Sequence, residues 1–216
     1  MDFINKLEKA KILKRNQLLP ILKGQILSTQ LSDNEVVSIE LFSLAKEEEI
    51  SSHNLLEQTL YVVLSGVLDI SGKKIEKMCY YLAQVESASE LKAMENTLVL
   101  IYTFKGNSKI RNLNFSKVTS LGSQIDIVKK AVSSKIIIQE EGLSMTLFSL
   151  AEKEGLNTHK ASGDALVIPL EGTVDIKIAE DQYSISEGDC IILPYGIAHS
   201  LLATKPYKML LTVINK

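Results

Sequence analysis

The chain repeats a stretch of thirty residues, and this repeat constrains the fold more than any other feature. Residues 41–70 return 106 positions later as residues 147–176, and twelve of the thirty paired positions are identical with no gap. Solenoid repeats have periods of about 20–50 residues, so a period of this length indicates a duplicated domain. Each copy is about the smallest size that buries its own core. The repeat therefore predicts two domains in the 216 residues, 1–108 and 109–216.

Both copies consist of short apolar runs separated by turn-forming residues. TLYVVLSGVLDI in the first copy is matched by DALVIPLEGTVDI in the second. Such runs, rich in Ile, Val, Leu and Tyr, are typical of β-strands, and many of them in succession predict an all-β sandwich or barrel. The first sixteen residues differ from this pattern. Apolar residues recur there at near-helical spacing, which predicts a short N-terminal helix: Phe3, Ile4, Leu7 and Ala10.

Composition excludes several classes of partner. The net charge is −2 and the charges are intermixed, so we expect neither nucleic acid nor an anionic membrane surface to bind. No apolar run reaches the roughly 18–20 residues that span a bilayer, and the start lacks the apolar core of a signal peptide. Cys79 and Cys190 are interpreted as matching core positions of the two copies and not as a disulfide. A cytoplasmic location is expected.

The second copy carries two groups of residues with a familiar spacing. They are Gly155-x3-His159-x-Ala161-x10-Gly172 and Gly188-Asp189-x4-Pro194-Tyr195-Gly196-x2-His199. The groups resemble the two motifs of the cupin superfamily, G(x)5HxH(x)3–4E(x)6G and G(x)5PxGxxH(x)3N, and the second motif fits without a gap from Gly188 to His199. The resemblance implies a bicupin, an all-β chain of two tandem double-stranded β-helix (jelly-roll) barrels. The second copy is similar to small single-domain bacterial cupins of uncharacterised function.

The family's pattern implies four metal ligands, of which this sequence has two. His159 and His199 take the first and last positions, whereas Ala161 stands at the second histidine position and Ala165 at the glutamate position. Asp164 lies one residue early, and side chains alternate along a strand, so it substitutes for the glutamate only if the strand bulges. The resemblance thus implies an incomplete site for a divalent metal such as Zn, Fe, Mn or Ni.

The first copy departs further from the pattern. His53 matches His159, but Leu55 stands at the second histidine position and Thr59 at the glutamate position. The segment that should contain the second motif has neither its glycine–proline turn nor its histidine. We therefore expect the N-terminal barrel to be mainly structural, with a degenerate site, and the C-terminal barrel to carry the function.

Three functions follow as hypotheses. In the first, the C-terminal barrel binds a small molecule of unknown identity, with His159, His199, Tyr195 and Asp164 as ligand-binding residues. In the second, His159 and His199 are catalytic acid–base groups or metal ligands of a dioxygenase or isomerase, as the superfamily implies. In the third, the barrels are filled and the protein is structural. A homodimer or an intrachain pseudo-dimer is expected as the assembly.

Overall fold

The computed structural model describes residues 3–106 and 108–215, which form twenty strands and two short 3-10 helices. The strands of the first half are β1 (Leu13–Lys14), β2 (Ile26–Asp33), β3 (Val37–Leu44), β4 (Glu49–Asn54), β5 (Gln58–Ser65), β6 (Val67–Ile70), β7 (Lys73–Glu76), β8 (Cys79–Ala83), β9 (Ala88–Ala93) and β10 (Thr97–Phe104). Those of the second half are β11 (Thr119–Ser120), β12 (Val132–Glu140), β13 (Leu143–Leu150), β14 (Gly155–Lys160), β15 (Asp164–Glu171), β16 (Thr173–Ile178), β17 (Asp181–Ser186), β18 (Asp189–Leu193), β19 (Ala198–Ala203) and β20 (Tyr207–Ile214). The 3-10 helices are Arg15–Gln17 and Gly122–Gln124.

By their internal contacts these elements form two compact units. The C-terminal barrel comprises Met1–Arg15, Lys109–Asn112 and Leu121–Lys216, and the N-terminal barrel comprises Asn16–Ser108 and Leu113–Ser120. The segment that precedes each barrel along the chain therefore packs in the other unit. β1 adds to the edge of a C-terminal barrel sheet through β18, and β11 adds to the equivalent edge in the N-terminal barrel through β8.

Each unit is a jelly roll of one six-stranded and one four-stranded sheet. The strand orders are β1-β18-β15-β20-β13-β12 and β14-β19-β16-β17 in the C-terminal barrel, and β11-β8-β5-β10-β3-β2 and β4-β9-β6-β7 in the N-terminal barrel. The two topologies are the same, which confirms the prediction of tandem all-β barrels. Alternate residues of each strand face the core between the sheets, as Val174, Ile176 and Ile178 do in β16.

The N-terminal helix prediction is wrong. Residues 3–12 form bends and no helical turn, and the backbone of Lys6 and Ala10 is left-handed, with φ of 67° and 49°. A right-handed helix cannot continue through such residues. Tertiary bonds replace the helical ones, because the Ala10 amide donates to the Ile192 carbonyl and Leu13–Lys14 pair with β18. We call residues 3–15 the N-terminal arm.

Strand pairing also corrects the equivalence of the two cysteines. Tyr81 lies opposite Tyr61, and Ile191 lies opposite Val167, the repeat equivalent of Tyr61. Cys190 therefore corresponds to Tyr80 and not to Cys79. Both cysteines are free, as expected, and burial raises the pKa of the Cys190 thiol to about 12, which makes it an inert core group.

In the described part of the chain, no helix is long and apolar enough to cross a bilayer.

Candidate functional site

Two histidines face each other on neighbouring strands of the C-terminal barrel. His159 on β14 and His199 on β19 are direct partners in the antiparallel ladder, and their ring centroids are 4.4 Å apart at an interplanar angle of 64°. His159 is exposed, whereas His199 is buried. The pair brings together the first histidine of one motif and the last histidine of the other, as the sequence predicts.

The hydrogen bonds of the pair indicate which ring nitrogen carries a proton. Nδ1 of His159 lies 2.7 Å from the Asn157 carbonyl oxygen, and Nδ1 of His199 lies 3.0 Å from that of Ile197. A carbonyl oxygen only accepts, so each Nδ1 carries the proton and each Nε2 of a neutral ring is an acceptor. Burial lowers the pKa of His199; the Ile197 carbonyl opposes this, and the neighbouring His159 lowers the pKa further. The buried ring is therefore neutral near pH 7.

The pair lies on the wall of a small cavity inside the barrel. The cavity has a volume of about 140 Å³. Its lining is mostly aliphatic and consists of Leu156, His159, Ala161, Ser162, Ala165, Val167, Leu193, His199, Leu201, Met209, Leu211 and Val213. All four motif positions thus surround one space, and two of them bear imidazoles while Ala161 and Ala165 bear only methyl groups.

Asp164 lies outside this lining, where it anchors the N-terminal arm. Its carboxylate is fully buried and accepts hydrogen bonds from the backbone amides of Phe3, Ile4 and Tyr195 and from Nζ of Lys9. Burial alone would raise the pKa of Asp164, but the bonds from Lys9 and the three amides outweigh it, and the pKa is lowered. The carboxylate is thus ionised and engaged with protein donors, while its neighbour Ala165 points into the cavity.

Tyr195 also lies off the cavity. Its side chain is half exposed in the turn before β19, and its ring meets that of Phe3 edge-on at a centroid distance of 5.5 Å. The sequence placed this turn near the site through its spacing from His199. It gave no signal that the arm, more than 150 residues away along the chain, packs against the turn and against Asp164.

The residues at the site do not fit the divalent metal that the family implies. Zinc and iron sites use three or four protein ligands. The described part of the chain contains no group of three or more His, Cys, Asp or Glu side chains arranged to hold an ion. Ala161 and Ala165 have no donor atom, and the Asp164 oxygens already accept four hydrogen bonds.

The N-terminal barrel pairs its strands in the same register around different residues. His53 lies opposite Ser89, as His159 lies opposite His199. The Ser89 hydroxyl is buried and lies 2.8 Å from the hydroxyl of Tyr61. The sequence missed Ser89, because its strand lacks the glycine–proline turn that marks the second motif.

Comparison with known proteins shows which solved structures share this architecture. Neither a protein-family model nor a curated protein matches the sequence. Among solved structures, the cupin 2 conserved barrel domain protein from Leptotrichia buccalis is 25% identical with a TM-score of 0.84, over 99% of this chain and 100% of its own. A conserved protein of unknown function from Streptococcus pyogenes is 33% identical with a TM-score of 0.50, over 52% of this chain and 98% of its own.

A salicylate 1,2-dioxygenase from Pseudaminobacter salicylatoxidans shares the fold alone, at 10% identity and a TM-score of 0.60 over 87% of this chain and 76% of its own. Together with the motifs and the two jelly rolls, these likenesses define the class. The chain has the cupin fold twice in tandem, and its motifs resemble those of the cupin superfamily.

Proposed function

We propose that the C-terminal barrel binds a small, mostly apolar molecule that donates a hydrogen bond to the His159–His199 pair. The observation that carries the proposal is a pair of imidazole rings on the wall of a mostly aliphatic cavity. A few well-placed polar groups in an apolar pocket are the usual features of a ligand site. Free space beside the Nε2 acceptor of the neutral His199 ring supports binding over a filled, purely structural barrel.

Cavity size and ring protonation narrow the ligand class. An apolar cavity of about 150 Å³ holds one benzene ring, and this cavity is about 140 Å³. The neutral His199 ring presents an acceptor, so a hydroxyl donor suits it and a carboxylate does not. The ligand is therefore a single-ring or similarly small molecule with one hydroxyl group, for which phenol is the simplest probe. The alternative of a metal-dependent enzyme is not proposed, because the residues at the site do not fit a metal. The cytoplasmic location stays a prediction.

Calorimetric titration with phenol and with benzene tests this proposal. The two probes share one aromatic ring, but only phenol donates a hydrogen bond, which is worth about 0.5–1.5 kcal/mol, so phenol should bind about 2–12 times more tightly. Ala165→Leu fills the cavity and should abolish binding, whereas His53→Ala, at the equivalent histidine of the other barrel, should leave it unchanged. Equal affinities for the two probes, or undiminished phenol binding by Ala165→Leu, would overturn the proposal.

A further inference from the structure

The N-terminal barrel contains an open cavity that is larger than the one in its partner barrel. Its volume is about 500 Å³, within the range of about 300–1,000 Å³ that is usual for ligand pockets. The lining consists of Glu40, Phe42, Ile50, His53, Asn54, Leu55, Leu56, Glu57, Thr59, Tyr61, Leu91, Ile101 and Thr103. The loss of the cupin motifs has therefore not closed this barrel.

Strand register explains where the cavity lies. It surrounds the same strand positions as the C-terminal cavity, with His53, Leu55 and Thr59 at positions of the lost first motif. On the facing strand, Ser89 stands where the other barrel has the larger imidazole of His199.

The inner part of the cavity is apolar and partly aromatic. Phe42, Ile50, Leu91 and Ile101 belong to the barrel core or pack against it, so their positions are defined by both sheets. Tyr61 presents a ring whose hydroxyl already bonds to Ser89, so the ring is held in place. Such a floor suits an apolar or aromatic group, since burial contributes roughly 25 cal/mol per Å² of apolar surface.

The polar part of the lining includes two acidic side chains beside His53, Asn54, Thr59 and Thr103. Glu40 and Glu57 both line the cavity, and its lining contains no lysine or arginine. Neither carboxylate forms an ion pair with another residue in the described part of the chain. The repeat places Thr146 and Gly163 at the equivalent positions of the C-terminal barrel. The two negative charges are thus particular to the N-terminal cavity.

We propose that the N-terminal barrel binds an organic amine, with its apolar or aromatic body in the cavity and its ammonium group at Glu40 and Glu57. Two unpaired carboxylates beside a low-dielectric space favour a cation over a neutral or anionic group. The aromatic side chains of Phe42 and Tyr61 in the lining suit an aromatic body. This site differs from the proposed phenol site in barrel, size and ligand charge, and it holds whether or not phenol binds.

Titration of the full-length protein with 2-phenylethylamine tests the proposal. The matched neutral probe is 2-phenylethanol, and the matched anion is 3-phenylpropanoate. The amine should bind at least about ten times more tightly than the alcohol, a difference of 1.4 kcal/mol, and the anion should bind least. Methyl signals of Ile50, Leu91 and Ile101 should shift in the NMR spectrum on addition of the amine.

Charge removal provides the decisive variant. Glu40→Gln/Glu57→Gln should lower the affinity for the amine at least about tenfold and leave the affinity for the alcohol unchanged. Glu95→Gln, at an exposed glutamate of the same barrel, is the control. If the double variant loses its native circular dichroism spectrum, the single variants Glu40→Gln and Glu57→Gln replace it in the test. Each should then lower the affinity for the amine.

Three results would overturn the inference. The amine and the alcohol could bind equally, the glutamate variants could retain full affinity for the amine, or the shifted signals could belong to Leu201 and Val213 of the C-terminal barrel. Ala165→Leu separates the two proposals, since it should remove phenol binding and leave amine binding intact.

Discussion

His159 and His199 share one ladder position but differ in environment. His199 is 3% exposed, whereas His159 is open to solvent. A proton on His199 therefore loses more hydration than a proton on His159. The motif spacing predicted that these two residues would meet. The difference in burial depends on the side chains that cover β19, which motif spacing does not reveal.

Stability should fall in mild acid because of His199. Burial lowers its pKa in the folded state below the ordinary value of 6.5. Above that value both states are neutral and the residue has no effect. As the pH falls below it, the unfolded chain takes up a proton that the folded chain does not, so the free energy of unfolding decreases until the lowered pKa is passed. Urea unfolding from about pH 8 to about pH 5 measures this trend.

The matched variant is His199→Leu, which replaces the titrating ring with an apolar side chain of similar size. Its free energy of unfolding should decline less between neutral and acidic pH than that of the wild type. Parallel curves for the two proteins would show that other groups cause the decline.

Asp164 should stabilise the fold through its charge. Asp164→Asn keeps the shape of the side chain but weakens the bonds from Lys9 and from three backbone amides, so we expect a loss of about 1–3 kcal/mol. Asp181→Asn, at an exposed position of the same barrel, should be nearly neutral. Thermal unfolding of the two variants measures the difference. Similar melting temperatures would contradict the anchoring role.

The Asp164 contribution changes with pH in the same direction as that of His199, but hydrogen bonds and not burial lower the pKa of Asp164. The pKa of this carboxyl is lowered in the folded state, so its stabilisation is complete above the ordinary value of 3.8 and is lost as the pH falls towards the lowered pKa. The acid loss near pH 4 should therefore be smaller in Asp164→Asn than in the wild type.

Individual elements show where sequence patterns suffice and where they fail. Strand alternation correctly separates Ala165, which faces the cavity, from Asp164, which does not. Helical periodicity fails in the N-terminal arm, because Ile4 is buried through tertiary contacts and not along a helix face. The cysteine alignment fails by one residue, and a one-residue shift on a strand changes the face to which a side chain points.

Gly66 and Gly172 are kept in both copies because the backbone passes another segment closely there. Their φ values are +76° and +78°, and an added Cβ would lie 2.2 Å from the Asn96 carbonyl oxygen and 1.8 Å from that of Pro206. The identity of this glycine in the repeat thus reflects packing at the entry to β6 and β16. It carries no information about a ligand.

Gly172→Ala should destabilise the C-terminal barrel by about 2–5 kcal/mol, as a left-handed alanine and an overpacked contact act together. Gly188→Ala is the matched control, because Gly188 also has a positive φ, +95°, but an added Cβ would meet open space. It should cost only about 1–2 kcal/mol. Chemical unfolding gives both values. An equal cost for the two variants would contradict the close approach at Pro206.

At the scale of the whole molecule, the two units exchange the segments that lead into them. The N-terminal arm precedes the N-terminal barrel in sequence and packs in the C-terminal barrel, while residues 113–120 do the reverse. The repeat predicted two barrels, but local patterns do not report contacts between residues more than 150 positions apart. Two strands lie across the predicted boundary at 108/109, because β1 pairs in the C-terminal barrel and β11 pairs in the N-terminal barrel. The homodimer or intrachain pseudo-dimer stays a prediction.

This exchange predicts that the arm acts as a separable stabilising ligand of the C-terminal barrel. Deletion of residues 1–15 removes β1, the buried Ile4 and three of the four donors to Asp164. The truncated chain should therefore lose stability selectively in the C-terminal barrel, while methyl signals of Ile101 and Leu91 keep their native positions in the NMR spectrum.

A synthetic peptide of residues 1–15 should restore that stability when added in trans. A ligand of the folded state stabilises by RT ln(1 + [L]/Kd), about 2.7 kcal/mol at a hundredfold excess over Kd, so the melting temperature should rise with peptide concentration. The same peptide with Lys9→Gln should act more weakly, because it lacks the ammonium group that bonds to Asp164. Unchanged melting of the truncated chain, with or without peptide, would show that the arm only covers a barrel that is stable by itself.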